Sequence, residues 1–168
     1  MLLTAKILVV SDSVAAGTKE DGAGPLLERR LIDAGFTVLE RRVTPDGVEA
    51  VADALRELVD GFFGLVVTTG GTGFAPRDET PEATSLVLDR EAPGFAERMR
   101  ATHPLGALSR GRAGVAGSAL VMNTPGSPKG ALESLEAVLG LVPHALGLLQ
   151  GDADHHPPET GGSTATSS

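Results

Sequence analysis

Residues 64–84 read GLVVTTGGTGFAPRDETPEAT. Gly64 to Thr69 is a short apolar and β-branched run, as expected of a strand buried on both faces. It runs straight into Gly70-Gly71-Thr72-Gly73. Three glycines in four residues exceed what one tight turn needs. Thr80-Pro81-Glu82 then reads as a helix start, with Thr80 as N-cap, Pro81 as first helical residue and Glu82 as a favourable first-turn charge. Strand, glycine loop and helix in that order describe a backbone that turns N–H groups toward an anion. The stretch is not a P-loop, because Phe74-Ala75 stand where the Lys-Ser/Thr pair would be. Nor does it fit the GxGxxG dinucleotide fingerprint. A tight turn is the plain alternative, and phosphate or pterin contact is the reading favoured by the glycine count.

The same alternation extends outward in both directions. Ala5 to Val10 reads as a buried strand. Pro25 opens a helix over LLERRLIDAG that Gly35 closes, and Phe36 to Val43 is a second strand. Val48, Val51, Ala52, Leu55, Leu58 and Val59 recur at helical spacing. Helices are also expected from Gly94 to Thr102, Pro128 to Leu139 and Pro143 to Leu149, and a fourth strand from Ser118 to Met122. Strands separated by helices of this length predict an α/β sandwich with a mostly parallel sheet. Residues 1–150 form its one domain. The stretch 151–168, GDADHHPPETGGSTATSS, has no large apolar residue and is expected to be a disordered tail.

The chain has 168 residues, 41% of them apolar and 21% charged, with a net charge of -8 and no cysteine. That balance excludes a disordered chain and a disulfide scaffold, and it leaves no thiol nucleophile or Cys zinc site. The acidic excess argues against nucleic acid as a partner, since a phosphate backbone calls for a basic face. No apolar run approaches the ~20 residues of a membrane span, and the N-terminus lacks signal-peptide features, so a cytoplasmic protein with no membrane partner is expected.

In an open parallel sheet, ligands bind beyond the carboxyl ends of the strands. Four loops fall there. The first carries Asp12 and Ser13, the second Asp46, the third Thr69 to Gly73 with Arg77 and Asp78, and the fourth Asn123, Pro125, Gly126 and Ser127. Asp46 and Asp78 are candidate metal or acid–base carboxylates, because Mg²⁺ takes one or two carboxylates plus phosphate oxygens. Their bland alternatives are a Pro-Asp-Gly turn for Asp46, and an ion pair with Arg77 or a helix cap for Asp78. Ser127 also reads as the cap of a helix begun by Pro128. Lys129 sits in that helix's first turn, where the dipole disfavours a cation unless an anion is near. Ser109 and Arg110 stand in a glycine-rich loop and are candidate phosphate contacts.

TTGGTG-x3-RDETPEAT at Thr68 to Thr84, SDSVAAGTKEDGAGPLL near the N-terminus, SRGRAG and NTPGSPKG together resemble the molybdenum-cofactor biosynthesis proteins of the molybdopterin-binding domain superfamily. The resemblance spans about 150 of the 168 residues. It implies a three-layer α/β sandwich, a homotrimer (a hexamer in one paralogous branch), and Mg²⁺-dependent adenylylation of molybdopterin by ATP with release of pyrophosphate. It further implies that Asp46 and Asp78 are catalytic and hold Mg²⁺. Substrate contacts fall on Asp12, Ser13, Thr69, Gly70, Gly71, Thr72, Gly73, Ser109, Arg110, Asn123, Pro125, Gly126, Ser127 and Lys129. The product passes to a molybdenum insertase. A paralogue or carrier that binds molybdopterin without turnover is the alternative that the same resemblance leaves open.

Overall fold

A computed structural model describes residues 1–151. Six strands form one sheet: β1 (Thr4–Val10), β2 (Thr37–Thr44), β3 (Gly64–Thr69), β4 (Arg90–Glu91), β5 (Ala113–Ala116) and β6 (Ala119–Thr124), in the order β2-β1-β3-β6-β5-β4. The first four in that order run parallel, and β5 and β4 complete the edge antiparallel. The helices are α1 (Asp12–Ala15), α2 (Ala23–Asp33), α3 (Val48–Val59), α4 (Thr80–Val87), α5 (Pro93–Arg100), α6 (Pro128–Leu139) and α7 (Val142–Leu149), with a 3₁₀ turn at Pro104–Leu108. The expected three-layer sandwich and mostly parallel sheet are what the chain forms. The expected tail lies outside the described residues except for Gly151.

The layers follow from the period-2 alternation of the strands. Ile7, Val9, Leu65, Val67, Leu120 and Met122 face α2, α5, α6 and α7, where Leu27, Leu31, Met99, Leu135 and Leu146 meet them. Leu8, Val10, Val66 and Val121 face α3 and α4, against Val51, Leu55, Leu58 and Ala83. Each fully buried leucine contributes roughly 1.5–3 kcal/mol of transfer free energy. β2 is an edge strand with a bulge at Leu39, where the register against β1 shifts between Ala5 and Lys6. Its charges are absorbed by Glu40–Arg42 on one face and Arg41 with Asp21 and Glu28 on the other.

Several local expectations need correction. α2 starts at Ala23 rather than at Pro25, because Asp21 Oδ1 accepts the Gly24 N–H at 2.7 Å and begins the helix two residues earlier. Thr80 is inside α4 rather than its cap. Its hydroxyl donates to the Gly70 carbonyl at 2.9 Å, ten residues back, and is lost to capping. β4, β5, α1 and the 3₁₀ turn form where the sequence pattern predicts loops. β5 is AGVA, two alanines and a glycine among four residues, and owes its strand conformation to pairing with β6.

The parallel strands end level. Val10 pairs with Thr44, Val9 with Thr69, and Thr69 with Thr124. The loops after β1, β2, β3 and β6 therefore leave the sheet at one height. No single helix among the described residues is long and apolar enough to cross a membrane.

Candidate functional site

The loop after β3 is at the centre. Gly70 and Gly71 have φ of +100° and +68°. A Cβ on Gly70 would stand 2.2 Å from the Val10 carbonyl oxygen, and one on Gly71 2.3 Å from the Thr80 hydroxyl. Glycine is thus demanded twice, by conformation and by close approach. Gly73 has no positive φ, and a Cβ there would meet the Asp78 carboxylate at 2.9 Å. The loop is fastened from below by a buried polar network. The Thr80 hydroxyl holds Gly70, and Thr84 Oγ1 donates to the Thr80 carbonyl at 2.7 Å. Asn123 Nδ2 donates to Thr68 Oγ1 and Thr84 Oγ1, both at 3.0 Å. Among the described residues no buried side-chain polar atom lacks a partner, so the network is closed and rigid.

On one side the loop faces a cleft of about 570 Å³. Its polar wall is Gly71, Thr72, Gly73, Asp78, Ser109, Asn123 and the start of α6, where Ser127 caps the helix by accepting the Gly130 N–H at 3.1 Å. Its other wall is Ala96, Met99, Leu105 and Leu108 from α5 and the 3₁₀ turn. Asp46 also approaches the loop, with its Oδ1 3.2 Å from the position of a Gly71 Cβ, though it does not line the cleft. Both aspartates thus approach the glycine loop.

Asp46 sits within an acidic cluster. Its Oδ2 accepts the Asp12 N–H at 2.9 Å, and the Asp46 N–H donates to Asp12 Oδ1 at 3.1 Å. Burial pushes the Asp46 carboxyl above the ordinary aspartate range. The Asp12 N–H pulls against this, and the charges of Asp12 and Asp78 add to it. Asp12 goes the other way: Arg77 holds it below the ordinary range through Nε–Oδ2 and Nη2–Oδ1 bonds of 2.6 and 3.0 Å.

Not every expected ligand contact is positioned for one. Arg110 has its guanidinium occupied by the Gly73 and Asp78 carbonyls and the Glu82 carboxylate. It braces the loop rather than reaching into the cleft. Asn123 is buried, its carboxamide also accepts the Arg112 N–H at 2.9 Å and its own N–H donates to the Arg112 carbonyl at 2.9 Å, so both are committed within the fold. The Thr69 hydroxyl is taken by the Pro125 carbonyl at 2.7 Å. Ser13, Asp12, Thr69, Gly70 and Arg110 do not line the cleft, whereas Pro125, Gly126, Ser127 and Lys129 do. Lys129 is 83% exposed and only 3.8 Å from Glu133. Arg77 pairs with Asp12 and not with Asp78, and Asp78 accepts the Ala75 N–H at 2.9 Å. Sequence reasoning misses the apolar wall, because Leu105 and Leu108 belong to no periodic segment; what marks them is their exposure, at 65% and 52%.

The Arg110–Glu82 pair predicts a pH dependence. Arg110 holds the Glu82 carboxyl below its ordinary range. A depressed carboxylate stabilises the fold above its unfolded value, about 4.3, and that contribution fades as pH falls through the folded value. Glu82→Gln is expected to unfold at a lower temperature than the parent at pH 7, with the gap closing below about pH 4. Thermal melts of both proteins across that range check it, and a gap independent of pH removes the charge explanation.

This is an α/β protein whose loop-and-cleft geometry suits a phosphorylated ring compound, with paired carboxylates at its glycine loop. Residues 6–144 match the family described as "Probable molybdopterin binding domain", and the chain belongs to that family. It is 40% identical to the molybdopterin adenylyltransferase of Escherichia coli K12, across 91% of this chain and 88% of that protein. It is 38% identical to the molybdenum cofactor synthesis protein cinnamon of Drosophila melanogaster, across 89% of this chain but only 26% of that protein, so it spans about a quarter of that relative's length. Among solved structures, the molybdopterin biosynthesis enzyme MoaB of Thermus thermophilus superposes with a TM-score of 0.83 at 46% identity, covering 89% of this chain and 98% of that one.

Proposed function

We propose that this chain acts in molybdenum cofactor biosynthesis as a molybdopterin adenylyltransferase. The observation that carries the reading is the approach of Asp46 to Gly71 and of Asp78 to Gly73, on a glycine loop that lines the cleft. The curated relatives supply the reaction class.

A terminal phosphate oxygen of molybdopterin attacks the α-phosphorus of ATP. The bond from that phosphorus to the oxygen bridging to the β-phosphate breaks, and pyrophosphate leaves. The nucleophile is already an anion, so the protein need not remove a proton. Its work is to hold two phosphate groups in line against their repulsion. The backbone of Gly71 to Gly73 and the N-terminal end of α6 supply donors and a positive dipole end for phosphate oxygens. Met99, Leu105 and Leu108 offer an apolar wall for the flat face of a pterin or purine. This suits a chain with no Trp or Tyr.

The acidic cluster fits Mg²⁺. Among the described residues no three His, Cys, Asp or Glu side chains form a complete metal cage. Two carboxylates completed by phosphate oxygens is the arrangement this ion prefers. Asp46, with its ionisation disfavoured by burial and neighbouring charge, gains from a cation beside it. Asp46 and Asp78 would hold the ion, which when bound neutralises charge on the triphosphate. Cytoplasmic operation, assembly as a homotrimer and hand-over of the product to a molybdenum insertase belong to the same proposal.

The alternative reading is a paralogue that binds molybdopterin without turnover. One assay separates them. Purified protein, molybdopterin and Mg-ATP are incubated and the products resolved by chromatography. Adenylylated molybdopterin and pyrophosphate in equal amounts are expected. Retained molybdopterin without product would establish the carrier.

A further inference from the structure

The two aspartates are each gripped at the backbone by an arginine that is itself held by a carboxylate. Arg77 Nη2 donates to the Asp46 carbonyl at 2.9 Å while its Nε and Nη2 engage Asp12. Arg110 Nη2 donates to the Asp78 carbonyl while Nη1 engages Glu82. The chain order makes this a crossed arrangement. Arg77 is the immediate neighbour of Asp78, yet it reaches across to Asp46.

We infer that Arg77, locked by Asp12, is a positioning residue that sets the Asp46 carboxylate for the metal–triphosphate, and that Asp12 is part of this brace rather than a substrate contact. The inference rests on the proposed metal role of Asp46.

The geometry has three links. Asp12 gives its backbone N–H to Asp46 Oδ2, and receives the Asp46 N–H on its own Oδ1. Arg77 closes the ring by bonding both Asp12 oxygens and the Asp46 carbonyl. Loops from three different strand ends are thereby joined at one guanidinium. One oxygen of Asp46 is fixed by the Asp12 N–H, which leaves Oδ1 turned toward the glycine loop. The planar fork bonds both Asp12 oxygens and the Asp46 carbonyl together, a geometry that the compact ammonium of a lysine does not reproduce.

Simple electrostatics and positioning make opposite predictions for Arg77. Removing a positive charge beside two carboxylates should tighten divalent cation binding. Losing the brace should weaken it, and supports of this kind typically cost 10–100-fold in metal affinity. The test uses Mn²⁺ in place of Mg²⁺, with ATP and without molybdopterin, so that no turnover occurs. Free Mn²⁺ is read by electron paramagnetic resonance. Arg77→Gln is expected to weaken ATP-dependent Mn²⁺ binding about tenfold with its unfolding midpoint little changed, since the side chain is 62% exposed. Unchanged or tighter binding overturns the proposal. Asp12→Asn/Arg77→Gln, which removes both charges together, is expected to match the single Arg77 variant; parent-like affinity there counts against positioning. Should Arg77→Gln fail to fold, Arg77→Lys carries the same test, with weakened binding expected and parent affinity overturning the idea. Asp46→Asn is the control for the underlying reading. If it keeps Mn²⁺ bound, the metal role itself fails and the brace falls with it. If it loses Mn²⁺ while Arg77→Gln does not, only the brace is wrong.

Discussion

Asp46→Asn is expected to cut formation of adenylylated molybdopterin by about 10²–10³-fold, the loss typical of removing one preorganised electrostatic group from a transition state. The substitution keeps the shape of the side chain and an oxygen able to accept the Asp12 N–H. What it removes is the negative charge flanking Gly71 to Gly73. Its effect on folding has the opposite sign. Burial and the neighbouring carboxylates disfavour the Asp46 charge in the folded chain. An acid whose folded pKa is raised weakens the fold above its unfolded pKa, and at pH 7 it is fully ionised in the unfolded chain. The neutral variant should therefore unfold at a higher temperature than the parent. A slower protein with a higher melting point is the combined signature. Turnover within about tenfold of the parent would remove Asp46 from the reaction, and a lower melting point would remove the charge argument.

Gly70→Ala should destabilise the fold strongly. The backbone stands at φ +100°, and the new Cβ would be placed 2.2 Å from the Val10 carbonyl oxygen, which belongs to the central strand β1. Neither β1 nor the loop can yield cheaply. β1 is paired on both sides, and Gly70 is held by its own N–H to the Thr124 carbonyl at 3.1 Å and by Thr80. Conformational strain of about 1–3 kcal/mol and overpacking of similar size are expected. Together they predict a loss of about 3 kcal/mol, or roughly 6–12 °C in melting temperature for a domain of this length. Circular dichroism melts of parent and variant check this. A drop below about 2 °C would mean the loop repacks and the close approach is not required.

The candidate site was legible where loops follow buried parallel strands. Apolar runs at Ala5 to Val10 and Gly64 to Thr69 mark the sheet, and residues just past their ends do collect at one height. Glycine density marked the loop, and Ser127 before Pro128 marked the start of α6. The employment of the polar side chains was not legible. Arg110 looks like a free cation in a glycine-rich loop, yet its donors are consumed by Gly73, Asp78 and Glu82. Arg77 and Asp78 are adjacent in sequence and look like an ion pair, yet the partner of Arg77 is Asp12.

The sequence by itself determined the layer order, the parallel core of the sheet and the edge on which chemistry gathers. These depend on periodicity and on turn-forming residues, which act over a few positions of the chain. Only the tertiary structure decided which polar groups face a ligand and which hold the site together. It also turned the short AGVA segment into a strand, set Thr80 against Gly70, and brought Asp46 and Asp78 to one loop. The contacts that set Thr80, Asp46 and Arg77 join residues 10 to 65 positions apart, and such distances are fixed only when the sheet has closed and its buried donors have found their acceptors.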